Sequence, residues 1–220
     1  MEAYPDHATY EALYKRYYER PDRSELLRAI EPLRGMRVLD LCGGDGLLSF
    51  LAVQRGAREA VLIEASPVMV PANLGIVDHR IRVRLGTVAS RLASSDTIDA
   101  PFDRIMCRQA VNYWLNAETS KLVAAALKPR GIFVFNTFNQ EPPKKPCVLE
   151  YELDGHAFTE VSWLVGDMVH HVQVRDEMMP HHTSFKWIPP ETFQILLRPH
   201  FSIVMEARRE KSSIYTCMKR

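Results

Sequence analysis

The sequence predicts an α/β fold: a doubly wound, mostly parallel seven-stranded sheet, with an N-terminal helical lid and an antiparallel cap insertion. Three observations predict it. Short apolar runs alternate with helical stretches from Arg37 to Asn136. A glycine-rich turn, Gly43-Gly44-Asp45-Gly46, follows the first of those runs. From Val148 to Trp187 the pattern changes to period-two alternation broken by the turn pairs Asp154-Gly155 and Gly166-Asp167.

Thr9 to Arg20 reads as a helix, with Tyr10, Tyr14 and Tyr17 on one face and Tyr18 beside them. Pro21-Asp22 breaks it, and Ser24 caps a second helix through about Ile30. Arg37 to Leu41 is a buried strand. Leu47 to Arg55 is a helix stopped by Gly56. Ala60 to Ile63 is the second strand, and Ser66-Pro67 starts another helix, cap first and proline at the first helical position. Ile81–Leu85 and Phe102–Cys107 are strands three and four. Ala117 to Leu127 is a helix, and Ile132 to Asn136 a fifth strand. Half-exposed strands follow at 148–153, 159–164, 169–174 and 183–187. Pro190 to Leu197 is a helix and Ser213 to Met218 a closing strand. The chain thus divides into a lid (1–32), a core (33–140), a cap (147–188) and a closing segment (189–220).

The chain has 220 residues, 46% of them hydrophobic and 25% charged, enough to bury a core without disulfides or metal. Twenty-eight basic residues against 27 acidic ones leave a net charge of +1, which argues against a nucleic-acid partner. Cys42, Cys107, Cys147 and Cys217 form no CxxC pair, so neither a zinc knuckle nor a redox motif is present, and reduced thiols fit a cytoplasmic protein. No run of 18 apolar residues occurs, so no membrane segment is expected. The expected state is a monomer or homodimer.

Val38-Leu39-Asp40-Leu41-Cys42-Gly43-Gly44-Asp45-Gly46 carries the chemistry. A buried strand delivers an acid, then glycines let the backbone approach a ligand closely, then a helix starts. Glu64 ends the second strand, 24 residues after Asp40, where an acid is placed to accept both ribose hydroxyls of a nucleoside. A GxGxxG fingerprint is absent, so a nucleoside without a pyrophosphate suits the turn better than NAD does.

These residues resemble the class I S-adenosylmethionine-dependent methyltransferases of small-molecule type. Asp40 matches the family's first-motif acid. Gly44 and Gly46 match its second and third glycines, and Cys42 replaces the first. Phe102 to Gln109 looks like the fourth motif, and Leu127-Lys128-Pro129-Arg130-Gly131 is similar to the family's approach to strand five. The resemblance covers about residues 33–136. It implies S-adenosyl-L-methionine as cofactor, held by Asp40, Cys42, Gly43, Gly44, Glu64 and Ala65. Thr87 stands where an adenine-binding Asp is common, with Val88 next to it offering its N–H, and Arg108 and Gln109 follow strand four. Tyr14 and Tyr18 belong to a helix that looks like a lid over the cofactor.

The acceptor pocket is read as Tyr10, Asn112, Trp114, Phe138, Asn139, Phe185 and Trp187, with Tyr113, His181 and His182 as the catalytic candidates. Adjacent histidines on a strand face opposite sides, so at most one of each pair, 170/171 and 181/182, enters a pocket. No metal motif accompanies them. The expected reaction is methyl transfer to a heteroatom of a small, fairly flat, partly apolar molecule, of heteroaromatic or natural-product type, nitrogen slightly favoured over oxygen because no paired acid–base constellation is visible. Sequence alone leaves open a non-methylating rearrangement on the same fold and a non-catalytic cofactor-binding subunit.

Overall fold

The computed structural model describes residues 22–71, 74–94, 100–208 and 212–220. The lid tyrosines Tyr10, Tyr14, Tyr17 and Tyr18 lie outside the described residues.

Helix α1 (Asp22–Ile30) precedes β1 (Arg37–Leu41), α2 (Leu47–Gln54), β2 (Glu59–Glu64), α3 (Leu74–Val77), β3 (Ile81–Leu85) and α4 (Val88–Leu92). Then come β4 (Phe102–Arg108), α5 (Val111–Trp114), α6 (Ala117–Ala126) and β5 (Leu127–Phe138). The cap is β6 (Cys147–Leu153), β7 (His156–Val165), β8 (Met168–Arg175) and β9 (His181–Lys186). Helix α7 (Pro190–Leu197), β10 (Phe201–Arg208) and β11 (Ser212–Lys219) close the chain.

The main sheet has seven strands in the order β10-β11-β5-β4-β1-β2-β3. Strands β1 to β5 pair in parallel, and β11 runs antiparallel to β5. The central β1 is buried along its whole length, as a strand covered on both faces must be. Its alternation sends Leu39 and Leu41 into one apolar cluster, with Ile105, Phe133 and Phe135. Val38 enters the other, with Leu62 and with Leu26, Leu27 and Ile30 of α1. Asp40 shares the side of Val38, beneath α2. The first cluster continues into stacked rings: Phe135 lies 5.0 Å from both Phe133 and Tyr215.

Several elements differ from the sequence reading: α4 and α5 have no counterpart in it, and β5 begins at Leu127, where the reading ended a helix. The expected helix at Ser66-Pro67 is a single 3-10 turn, Pro67–Met69, whose Ser66 makes no side-chain cap bond. Pro71 is the cause, because a residue before proline is pushed out of the helical region, and Val70 is extended at φ −95°, ψ 119°. Strand β10 has no counterpart in the sequence reading. It is an edge strand bonded only to β11, and its Met205-Glu206-Ala207-Arg208 end lacks a continuous apolar run.

The second sheet, β6-β7-β8-β9, is antiparallel throughout. Asn112 of α5 ties it to the core: its Nδ2 donates to the Lys186 carbonyl (3.0 Å) while Oδ1 accepts from Thr137 Oγ1 (2.6 Å). Among the described residues no helix is long and apolar enough to cross a membrane.

Candidate active site

Strand order reverses between β1 and β4, and open parallel sheets bind ligands beyond the carboxyl ends at such a point. The glycine turn stands there. Cys42 is at φ +54°, Gly44 at +55° and Gly46 at +74°. Cys42 therefore holds the left-handed conformation that glycine adopts without strain. A side chain on Gly43 would lie 2.8 Å from Asp40 Oδ2 and from Leu62, so that position has no room for one. The turn is closed by Gly46 N–H donating to the Gly43 carbonyl (3.0 Å), and Leu47 N–H donates to Asp45 Oδ1 (3.0 Å).

Glu64 is buried at the tip of β2. Its Oε2 accepts from the Gly44 N–H (3.1 Å) and its Oε1 from the Ser66 N–H (2.9 Å). Each oxygen keeps a second lone pair. Burial pushes the carboxyl up, while the Ser66, Gly44 and Ala65 amides pull it back. Asp40 is fully buried and does not open onto the surface. Its Oδ2 accepts from Ser49 Oγ (2.8 Å), and its Oδ1 has no hydrogen-bond partner among the described residues. Burial pushes its carboxyl up to about 7; the Ser49 bond opposes this, and the Asp45 and Glu64 charges add to it. The Cys107 thiol and burial hold the Cys42 thiol protonated.

The remaining candidates separate. Ala65 is exposed next to Glu64. Thr87 does not offer a free hydroxyl: its Oγ1 accepts from Ser90 N–H (3.2 Å) as the cap of α4. Val88 turns its side chain into the core, leaving only its main chain for a ligand. Arg108 ends β4, half-buried. Gln109 sits at φ +54°, its N–H donating to Asn136 Oδ1 (2.9 Å). Asn136 is wholly buried. The sequence shows it only as a strand end, because nothing in its neighbourhood marks the contact.

Asn112 spends both ends of its amide on Thr137 and Lys186, so it anchors the cap and is not free for an acceptor. Trp114 packs on Phe133 (6.3 Å) and joins the core; helical rotation sends Tyr113 elsewhere. Tyr113 meets Phe185 (5.3 Å), and Phe185 meets Phe138 (6.2 Å), so these three rings form one aromatic wall between core and cap. Trp187 belongs to the cap's own small core with Leu164 and Val169. Asn139 donates to Ser213 Oγ (3.4 Å). It also lines, with Trp187, Glu141, Asp167 and Glu191, a groove of about 410 Å³ that includes no residue of the glycine turn.

The histidine pairs resolve by strand register. His181 and His171 stand on the face that carries Phe185, His182 and His170 on the other. His182 therefore lies on the face away from Phe185: its Nε2 is 3.3 Å from His170 Nδ1, beside Trp163. Among the described residues no group of three or more His, Cys, Asp or Glu can hold a metal ion.

Residues 14–194 match the methyltransferase domain family. Curated relatives include ubiquinone biosynthesis O-methyltransferases from Stutzerimonas stutzeri (25% identical over 147 residues) and Pseudomonas fluorescens Pf0-1 (27% over 149). Each match covers 61% of this chain and 63% of the relative, so the chain spans less than two thirds of those proteins. Among solved structures, an S-adenosylmethionine-dependent methyltransferase from Clostridium acetobutylicum is 16% identical, with a TM-score of 0.73 over 96% of both chains. An amino pentose methyltransferase from Micromonospora echinaspora, solved with S-adenosylmethionine (SAM) bound, is 16% identical, with a TM-score of 0.71 over 100% of this chain and 99% of its own. A sugar N-methyltransferase from a Streptoalloteichus species is 17% identical, with a TM-score of 0.62 over 100% and 97%. By sequence the chain belongs to the methyltransferase domain family, and its fold is that of the S-adenosylmethionine-dependent methyltransferases.

Proposed function

We propose that this protein transfers the methyl group of S-adenosylmethionine to a nitrogen of a small molecule bound between core and cap. One observation carries the reading. A buried carboxylate at the tip of β2, Glu64, grips the glycine turn at the switch point of the sheet, next to the unpartnered Oδ1 of Asp40.

The residues present fit the cofactor. Gly43 and Gly44 leave bare backbone beside Glu64, whose remaining lone pairs suit two ribose hydroxyls. Asp40 offers a buried carboxyl that a bound cation would ionise. Ala65 and the main chain of Val88 would hold the base, and Arg108 and Gln109 would stand toward the methyl end. When bound, the cofactor supplies an activated methyl on a sulfonium.

The protein's part is alignment and water exclusion, and orientation of this kind is worth roughly 7–11 kcal/mol. Tyr113, Phe138 and Phe185 hold the acceptor's ring, and their π faces favour nearby positive charge. His181 shares the cap face of Phe185, which supports it over His182 as the candidate base. Nitrogen over oxygen is in keeping with the amino pentose and sugar N-methyltransferases, whose folds align over the whole chain.

Methyl-labelled cofactor incubated with a panel of amines and phenols tests this. Label in amine products, with release of S-adenosylhomocysteine, is the expected result. Label confined to phenols overturns the choice of nitrogen, and calorimetry showing no cofactor binding overturns the assignment.

A further inference from the structure

The inner face of the cap carries its side chains in rows that cross the strands. The first row is Leu164, Val169 and Phe185, and it abuts Tyr113 and Phe138. One two-residue step along the strands, roughly 7 Å, brings Ser162, His171 and Thr183. The next step brings Glu160, Gln173 and His181. An apolar row against the aromatic wall thus gives way to two polar rows.

Those rows are wired together. Ser162 Oγ lies 2.7 Å from His171 Nδ1. Nε2 of the same ring lies 3.8 Å from Glu160 Oε1, beyond a hydrogen bond but within ion-pair range. Gln173 Nε2 donates to Glu160 Oε1 at 3.0 Å. With Nδ1 accepting from the serine hydroxyl, the ring's own proton sits on Nε2 and points toward the carboxylate. Gln173 and His181 are buried and Glu160 nearly so. Burial pushes the Glu160 carboxyl up, against the pull of the Gln173 bond. A four-stranded sheet gains nothing in stability from burying such groups, and linked titratable clusters of this kind concentrate at functional sites.

We propose that Ser162, His171 and Glu160 form a proton-removing relay for an acceptor that is an amine borne on a hydroxylated ring. This rests on the methyl-transfer reading above. An amine at neutral pH is protonated and has no lone pair to give. In the relay its N–H bond breaks and the electron pair stays on nitrogen. The proton passes to Ser162 Oγ as the serine's own proton moves to His171 Nδ1, and the imidazolium, facing Glu160, returns the proton to solvent. The freed lone pair is what methyl transfer consumes. Thr183, Gln173 and His181 supply the hydrogen bonds that ring hydroxyls need, while Phe185 and Tyr113 pack the ring's apolar face. Among the described residues, the titratable or charged groups on the sheet face of His171 are Glu160, His181 and Arg175, with Cys147 and Tyr151 on the β6 edge, and Tyr113 of the core meets that face at Phe185.

The test uses full-length protein with ring-labelled histidine, saturated with S-adenosylhomocysteine and followed by NMR. Glu160→Gln should lower the proton affinity of His171 about tenfold. Glucosamine should move the His171 signal, glucose should not, and benzylamine should bind more weakly than glucosamine. Ser162→Ala, a change of one hydroxyl, should also weaken glucosamine binding, and it serves if Glu160→Gln fails to fold. An unchanged His171 titration in Glu160→Gln, or a His171 signal that glucosamine leaves in place, overturns the relay. Equal shifts from glucose, or benzylamine binding as tightly as glucosamine, overturn the acceptor class. Calorimetry on the same samples separates the two levels: S-adenosylhomocysteine binding retained while the relay fails leaves the methyl-transfer reading standing, and its absence in the wild type overturns that reading.

Discussion

Replacing Asp40 by Asn should stabilise the protein while damaging cofactor binding, and the size of the first effect should depend on pH. The carboxyl ordinarily ionises at 3.8 and in the fold at about 7, chiefly because it is buried. The sign follows directly. Between those values the unfolded chain has lost the proton and the folded chain has kept it, so stability falls as pH rises, and the loss levels off above about 7. At roughly 1.36 kcal/mol per unit, the full penalty is about 4 kcal/mol. Two-state arithmetic puts less than half of it in force at pH 5 and nearly all of it at pH 8, a difference of roughly 2–3 kcal/mol. The asparagine side chain has the same shape, accepts the Ser49 hydroxyl bond and never ionises. Denaturant unfolding of both proteins at the two pH values is the assay, and the Asp40→Asn variant's advantage over wild type should grow by roughly 2–3 kcal/mol from the lower pH to the higher. A stability gap that is equal at both pH values would refute the buried, proton-holding carboxyl. The cofactor is a cation, so its binding should ionise Asp40. Calorimetry at pH 6 in buffers of different ionisation heats should detect a proton released by wild type and none by Asp40→Asn, whose affinity should be at least tenfold weaker.

Glu64→Ala removes the acceptor for the Gly44 and Ser66 amides. S-adenosylhomocysteine affinity should fall by roughly 100-fold or more, since each of two charged hydrogen bonds is worth about 1.5–3 kcal/mol; calorimetric affinity within twofold of wild type would count against the ribose role. Gly46→Ala forces alanine to φ +74° against Leu74 and Leu62. It should cost about 1–3 kcal/mol, seen as a fall in Tm that pairing with Leu74→Ala partly restores. Asn112→Ala cuts the bonds to Lys186 and Thr137. Amide exchange in β9 should then accelerate while that in β1 stays slow, and uniform exchange rates would show that the cap is held elsewhere. His182→Ala should leave the pH profile of methyl transfer unchanged, because His182 faces away from Phe185; an altered profile would return it to the candidates for the base.

The parallel core was written plainly in the chain. Runs such as Val38–Leu41 and Val61–Ile63 can be buried on both faces only inside a covered parallel sheet, and the glycines after Asp40 marked where that sheet meets a ligand. Local grammar failed where a neighbour overrode it. Pro71 cancelled the helix that Ser66-Pro67 announced, and β10 exists because β11 offers it an edge.

Asp40 and Glu64 stood out in the sequence by type and spacing, since an acid after a buried strand is a strong local signal. What each does was decided by packing. Strand alternation put Asp40 under α2 against Ser49, and the turn folded two amides onto Glu64. Tyr113 and Trp114 are neighbours in sequence but diverge to cap and core, because one step of helix rotates a side chain by about 100°. His181 and His182 are told apart only by the register of β9 against β8. Covalent order fixes periodicity and the conformations a residue tolerates. Which side chains meet between core and cap depends on contacts between segments far apart in the chain, such as Asn112 with Lys186, and those exist only once the cap has closed on the core.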